Sequence, residues 1–241
     1  MSVTARVSTK SAKFMVQPSS LLIFALIAFL IVFMVLPLFT IFIESLKDKS
    51  GIVSGLQNYT EFFTEYAAFH IVSNTLTIAV VSTILTVVLA YAFALCLSHT
   101  SVRCKTFFRS IALIPLLTPS LLSAMALTQL FGAQGYLNNL MMGHSIYGPI
   151  GIVIGMTIAH FPHVFIILST AINLSDSRLY EAAIALKAGR YKTFLTVTLP
   201  GTKYGLVSAS IVSFTLCVTD FGIPKVIGGQ YAMLATEIYK Q

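Results

Sequence analysis

The chain has 241 residues, of which 56% are hydrophobic and 10% are charged. Soluble domains carry about a quarter charged residues, so the composition excludes an ordinary soluble fold and favours an all-α, polytopic membrane protein. The net charge of +7 does not indicate nucleic-acid binding, because the basic residues lie between apolar runs and do not gather on one solvated face.

Residues 1–18 are predicted to be a cytoplasmic tail, with its basic residues before Phe14. No charged residue occurs from Phe14 to Ile43. A secretion signal has an apolar run of only about 7–15 residues, so we predict that residues 19–43 are a retained first transmembrane helix. Residues 44–69 carry six Asp, Glu and Lys side chains and are predicted to form a periplasmic loop.

The remaining residues, 70–241, are predicted to form one helical core domain. Its apolar runs predict four more spans, near 71–98, 110–131, 149–171 and 204–219. The last run is short for a membrane helix, which needs about 20 residues. Five spans in total are therefore predicted.

The basic residues predict the orientation of these spans. Eleven of the 15 Lys and Arg residues fall on the N-terminal side of the membrane and four on the other side. The positive-inside rule then predicts a cytoplasmic N-terminus. The chain would end outside without a closing span, so we expect a missing sixth span, through truncation or a longer parent polypeptide.

The largest predicted cytoplasmic loop, residues 173–203, carries a spaced motif. Its residues are Glu181, Ala182, Ala183, Lys187, Gly189, Leu199 and Pro200. The motif resembles the EAA loop of permeases from binding-protein-dependent ABC importers. That family has a Gly where this chain has Lys187, so we expect Gly189 to supply the positive-φ turn. We expect Glu181 to begin a short helix, where the helix dipole favours a carboxylate.

The resemblance implies a type I importer permease with a methionine-permease-like fold in the bacterial inner membrane. It implies three protein partners: a cytoplasmic ABC ATPase bound at the motif loop, a periplasmic solute-binding protein, and a second permease half. ATP would be bound by the ATPase, since the chain lacks a GxxxxGK[ST] phosphate loop. We therefore expect no catalytic residues and no cofactor in this chain.

Two C-terminal segments resemble a narrower group. Asp220–Gln230 and Ala235–Gln241 are similar to permeases for 2-aminoethylphosphonate, which are relatives of ferric-iron and polyamine permeases. The resemblance implies 2-aminoethylphosphonate or a similar small solute as the substrate.

Five residues are candidates for the translocation path: Pro115, Pro119, His160, His163 and Asp220. Ionisable residues inside spans are functional candidates, although both histidines are equally suited to hydrogen bonds within the bundle. The prolines, with Pro162, either free carbonyls for the path or only kink helices. Asp220 either meets a partner at the outer end of the last span or pairs internally. No carboxylate lies near the histidines in sequence, so no metal site is predicted.

Two other function classes remain open. A secondary transporter driven by an ion gradient would need charged or paired acidic groups within its spans. An intramembrane hydrolase would need a nucleophile beside a base, for which Ser123 or Ser169 with His160 is a candidate set.

Overall fold

A computed structural model describes residues 18–47, 51–64, 66–100, 103–141, 143 and 145–240. The described residues are 81% helical and contain no strand. The predicted basic tail before Pro18 lies outside the described residues. Two compact units divide the chain, Met1–Glu65 and Tyr66–Gln241.

The first unit is built on one long apolar helix. Helix α1 (Pro18–Leu30), a π-helical turn (Ile31–Val35) and α2 (Leu36–Ser45) follow one another directly. The π-helical turn precedes Pro37, whose ring nitrogen has no hydrogen to donate to the preceding turn. Residues Ser20–Ser45 are long and apolar enough to cross a membrane, at the position predicted for the first span.

The predicted loop 44–69 is not wholly irregular. It contains α3 (Gln57–Thr64) and the first turn of the next helix. Asn58 of α3 donates hydrogen bonds to the carbonyls of Ser45 and Lys47, at 3.1 and 2.8 Å. These bonds join α3 to the end of α2.

The second unit contains the remaining helices. They are α4 (Tyr66–His99), α5 (Lys105–Leu113), α6 (Ser120–Phe131), α7 (Pro149–Asn173), α8 (Ser177–Ala185), α9 (Arg190–Thr193), α10 (Leu199–Gly201), α11 (Lys203–Thr219), α12 (Gly222–Ile227) and α13 (Leu234–Lys240). Two 3-10 turns lie at Ile114–Leu117 and Asn138–Met141, and a π-helical turn lies at Phe194–Thr198. The long helices α4 and α7 lie where spans are predicted.

Two of the predicted spans are bent. The segment Lys105–Leu117 meets α6 at 105°, and Arg190–Gly201 meets α11 at 65°. The span predicted over 110–131 is therefore broken at Thr118 and Pro119. Thr118 is extended because it precedes Pro119, which disfavours the helical conformation of its neighbour. The described residues hold three straight candidate spans, or up to five if each bent pair counts as one.

Helices α4, α7 and α11 pack together at the centre of the second unit. Helix α7 continues through Pro162, which lacks the N–H that a helical residue donates to the preceding turn. Gly205 of α11 allows close packing, since a Cβ there would lie 2.3 Å from the Cβ of Ala171 on α7. Helix α12 packs against α6 and α7 at the other end of α11.

Candidate functional site

The motif loop folds into a short capped helix. Asp176 accepts a hydrogen bond from the backbone N–H of Arg178 at 2.9 Å, which caps the start of α8. Glu181 is thus the fifth residue of α8, and the expectation that it begins the helix is wrong. The signal for the true start is Asp176 itself, an N-cap residue directly before Ser177.

The turn after α8 is made by Lys187 and not by Gly189. Lys187 has φ +51°, whereas Gly189 has φ −66°. The N–H of Lys187 donates to the carbonyl of Ile184, and the N–H of Ala188 donates to that of Ala183, both at 2.9 Å. This pair of bonds is the Schellman motif, in which the residue at the Lys187 position is left-handed and is usually glycine.

The outer surface of this segment is open and partly apolar. Ala183 is buried, while Glu181 and Ala182 are exposed. The exposed apolar side chains are Leu179, Ile184, Leu186 and Tyr191. We call residues 176–202, from the α8 cap to the bend before α11, the coupling segment. Leu199 packs inward and Pro200 is exposed just before that bend.

The structure brings Asp220 and His160 together in the interior of the second unit. Asp220 Oδ2 lies 3.2 Å from His160 Nε2, and the two side chains are 4% and 6% exposed. The other carboxylate oxygen, Oδ1, accepts bonds from the N–H of Ile223 at 3.0 Å and from Ser120 Oγ at 3.2 Å. Of the two readings of Asp220, internal pairing is therefore the one observed.

The carboxylate lies where three helix ends meet. Helix α11 ends before Asp220, α12 begins at Gly222, and α6 begins at Ser120. The start of an α-helix carries partial positive charge, so the start of α6 favours a carboxylate there. Gly222 is required for this approach, because a Cβ on it would lie 2.6 Å from the backbone nitrogen of Leu121.

The second ring nitrogen of His160 faces Cys217. Its Nδ1 lies 3.4 Å from the Cys217 sulfur, which is fully buried. The two nitrogens point to opposite sides of the ring, so one metal ion cannot use both partners. Among the described residues, no three His, Cys, Asp or Glu side chains are placed to hold a metal.

The other candidate path residues are not part of this pair. Pro115 lies in the 3-10 turn that packs against α7, and Pro119 lies at the 105° bend. His163 is half-buried, and its Nδ1 has no hydrogen-bond partner in the part of the chain that the structure describes. On the same helix, the buried Thr157 hydroxyl also has no hydrogen-bond partner among the described residues.

The geometry bears on the hydrolase hypothesis. His160 contacts Cys217 and Asp220, whereas Ser123 lies 3.4 Å from the hydroxyl of Thr118. A thiol, imidazole and carboxylate in line resemble a nucleophile, a base and its orienting group. Cys217 is fully buried, however, so no substrate reaches it in this conformation. Sequence reasoning missed Ser120 and Cys217, whose partners are distant in sequence.

Three relatives have transport functions in their names. The ferric transport system permease protein FbpB of Actinobacillus pleuropneumoniae is 27% identical over 93% of this chain and 34% of its own length. The spermidine/putrescine permease PotB of Haemophilus influenzae is 25% identical over 77% of this chain and 67% of its own length. Escherichia coli PotB is 24% identical over 91% of this chain and 84% of its own length.

The chain thus spans about a third of the ferric relative's length and most of the PotB length. These relatives are named for ferric iron and for spermidine and putrescine, so the predicted 2-aminoethylphosphonate solute receives no support from them.

One protein family matches most of the helical core. Its description is binding-protein-dependent transport system inner membrane component, and it matches residues 87–241, more than half of the chain. The match agrees with the apolar helices, which make the chain a multi-pass inner-membrane protein. The chain belongs to the family of binding-protein-dependent transport system inner membrane components.

Proposed function

We propose that this chain is the membrane-spanning permease of an ATP-driven, binding-protein-dependent importer. The observation that carries the proposal is the family match over residues 87–241, which contains the whole coupling segment. An ATPase that hydrolyses ATP in the cytoplasm needs a protruding part of the permease to act on. The coupling segment has that form.

The exposed surface of α8 is suited to an ATPase groove. Ile184 and Leu186 are 75% and 82% exposed, and apolar side chains grouped on a solvated surface mark a docking site. Ala182 is exposed beside them and small enough to let a partner's backbone approach closely. The basic residues Arg178, Arg190 and Lys192 are available for acidic groups around such a groove.

We propose a cationic solute, either ferric iron or a polyamine. The support is that relatives covering most of this chain are named for these two solutes, and both are cations. A periplasmic binding protein would select the solute, and a second permease half, fused or separate, would complete the path with the coupling ATPases below it.

The docking proposal is tested by co-purifying the chain with candidate ATPase subunits. We expect Ile184→Asp and Ala182→Asp to reduce ATPase association by tenfold or more, because a charge would be buried at the contact; this corresponds to about 1.4 kcal/mol or more. Ala133→Asp is the matched control, since Ala133 is an exposed alanine in the loop after α6. All three variants should insert normally.

Import is then measured in proteoliposomes with radiolabelled ferric iron and radiolabelled spermidine. Import of either that requires ATP and the binding protein supports the proposal and identifies the solute. Unchanged ATPase association in both α8 variants, with import that survives ATP depletion and stops with an ionophore, contradicts it. That result would favour the gradient-driven alternative, for which Asp220 and His160 would be the first residues to study.

A further inference from the structure

The coupling segment is joined to α4 at the point where it enters the bundle. Tyr91 of α4 has its Oη 2.7 Å from Oγ1 of Thr202. Thr202 is the residue between α10 and α11, where the chain bends by 65°. Both side chains are buried, at 8% and 1% exposed. The contact therefore lies at the bend and is shielded from water.

The direction of this hydrogen bond follows from counting protons. The Thr202 hydroxyl has one hydrogen, which it donates to the carbonyl of Thr198 at 2.9 Å. Tyr91 must then be the donor to Thr202. Thr202 thus closes the turn before the bend and accepts a bond from α4 at the same time. If the Tyr91 hydroxyl is removed, the Thr202 oxygen loses this donor, and water does not replace it because the site is buried.

A second contact joins α8 itself to the same place. Tyr180, the residue before Glu181, donates from its hydroxyl to Thr198 Oγ1 at 3.2 Å. The Tyr180 ring also lies 5.2 Å from the ring of His99, in the last turn of α4. Since Tyr91 and His99 are about two helical turns apart, α4 meets the coupling segment at two levels.

Resting on the proposed function, we propose that Tyr91 and Tyr180 are positioning residues that lock the bend at Thr202, so that α8, α4 and α11 move together. A coupling segment can do work on membrane helices only if it does not swing freely at its own bend. The hydrogen bonds from Tyr180 to Thr198, from Thr202 to Thr198 and from Tyr91 to Thr202 connect the docking helix to two membrane helices.

The test is Tyr91→Phe in the complete transporter with its ATPase and binding protein in proteoliposomes. We expect ATPase association and ATP hydrolysis to persist, while ferric iron or spermidine imported per ATP falls about fivefold, the effect of losing one buried hydrogen bond. Tyr204→Phe is the matched control, because it removes the hydroxyl of a residue that is 76% exposed and lies two positions after Thr202.

A second pair of variants covers the case in which Tyr91→Phe fails to insert. Thr202→Val removes the hydroxyl at nearly constant volume, and Thr202→Ser keeps it. Uncoupling by Thr202→Val, with normal coupling in Thr202→Ser, supports the lock. An unchanged ratio of import to ATP hydrolysis in the inserted variants overturns it, and so does a proportional loss of both activities. Failure of the unsubstituted chain to bind the ATPase would instead refute the proposed function, and the lock with it.

Discussion

Two aspartates accept a backbone hydrogen bond at the start of a helix, in opposite surroundings. Asp176 accepts from the N–H of Arg178 on the exposed coupling segment, and Asp220 accepts from the N–H of Ile223 inside the bundle. Water replaces a lost partner at Asp176 and cannot do so at Asp220. Loss of the hydrogen bond should therefore cost less stability at Asp176 than at Asp220.

The largest difference is expected between the two aspartate-to-alanine variants. Asp220→Ala should cost about 3 kcal/mol of stability, because the N–H of Ile223, the Ser120 hydroxyl and His160 all lose a buried partner. Asp176→Ala should cost about 1 kcal/mol, the usual value of an exposed N-cap. Thermal melting in detergent, followed by circular dichroism, measures both. Equal losses in the two variants would show that burial does not distinguish the two aspartates.

Alanine substitutions at Gly222 and Gly189 compare the same two regions at the level of the backbone. Gly222→Ala should destabilise the chain by about 1–3 kcal/mol, since the new Cβ would lie 2.6 Å from backbone that cannot move aside easily. Gly189→Ala is the control in the coupling segment, where nothing lies within 4 Å of a Cβ and φ is −66°. It should cost less than about 1 kcal/mol, a small loss that arises because Gly189 is the N-cap of α9, where alanine is less favourable than glycine.

The readout for the glycine pair is the same melting experiment, with detergent and protein concentration held constant. A Gly222→Ala variant that melts with the unsubstituted chain would mean that α6 and α12 separate at little cost. The close approach at Gly222 would then not fix the position of Asp220.

Much of the coupling segment and the long helices could be predicted, because local sequence determines them. Uncharged runs predict α4 and α7, and the spacing from Glu181 to Pro200 identifies the loop. A break or kink was expected at Pro115 and Pro119, but its angle of 105° was not predicted. Length alone cannot distinguish a straight helix from two short ones.

The buried pair could not be predicted as a contact. His160 lies on α7 and Asp220 directly follows α11, with the coupling segment between them in sequence, so only the packing of α7 against α11 brings them together. The sequence does identify both as ionisable residues in or beside spans. The sequence does not reveal whether His160 and Asp220 pair with each other, because that depends on how the helices pack.

The smallest expected effect is at Lys187, which holds the position where the family has glycine. A residue with a side chain loses about 1 kcal/mol in the left-handed conformation, so Lys187→Gly should stabilise the end of α8 by about 0.5–1 kcal/mol. Lys187→Ala keeps a Cβ and should not gain this energy. The difference between the two variants therefore isolates the backbone contribution from the loss of the lysine charge.

Amide hydrogen exchange at Ala188 reports this change directly, because its N–H donates to the carbonyl of Ala183 in the Schellman turn. We expect slower exchange in Lys187→Gly than in Lys187→Ala. Equal exchange in the two variants would mean that contacts with the rest of the coupling segment, and not the backbone conformation at position 187, determine the stability of the turn. A stabilised turn that also strengthens ATPase association would show that the shape of α8, and not only its exposed side chains, is recognised.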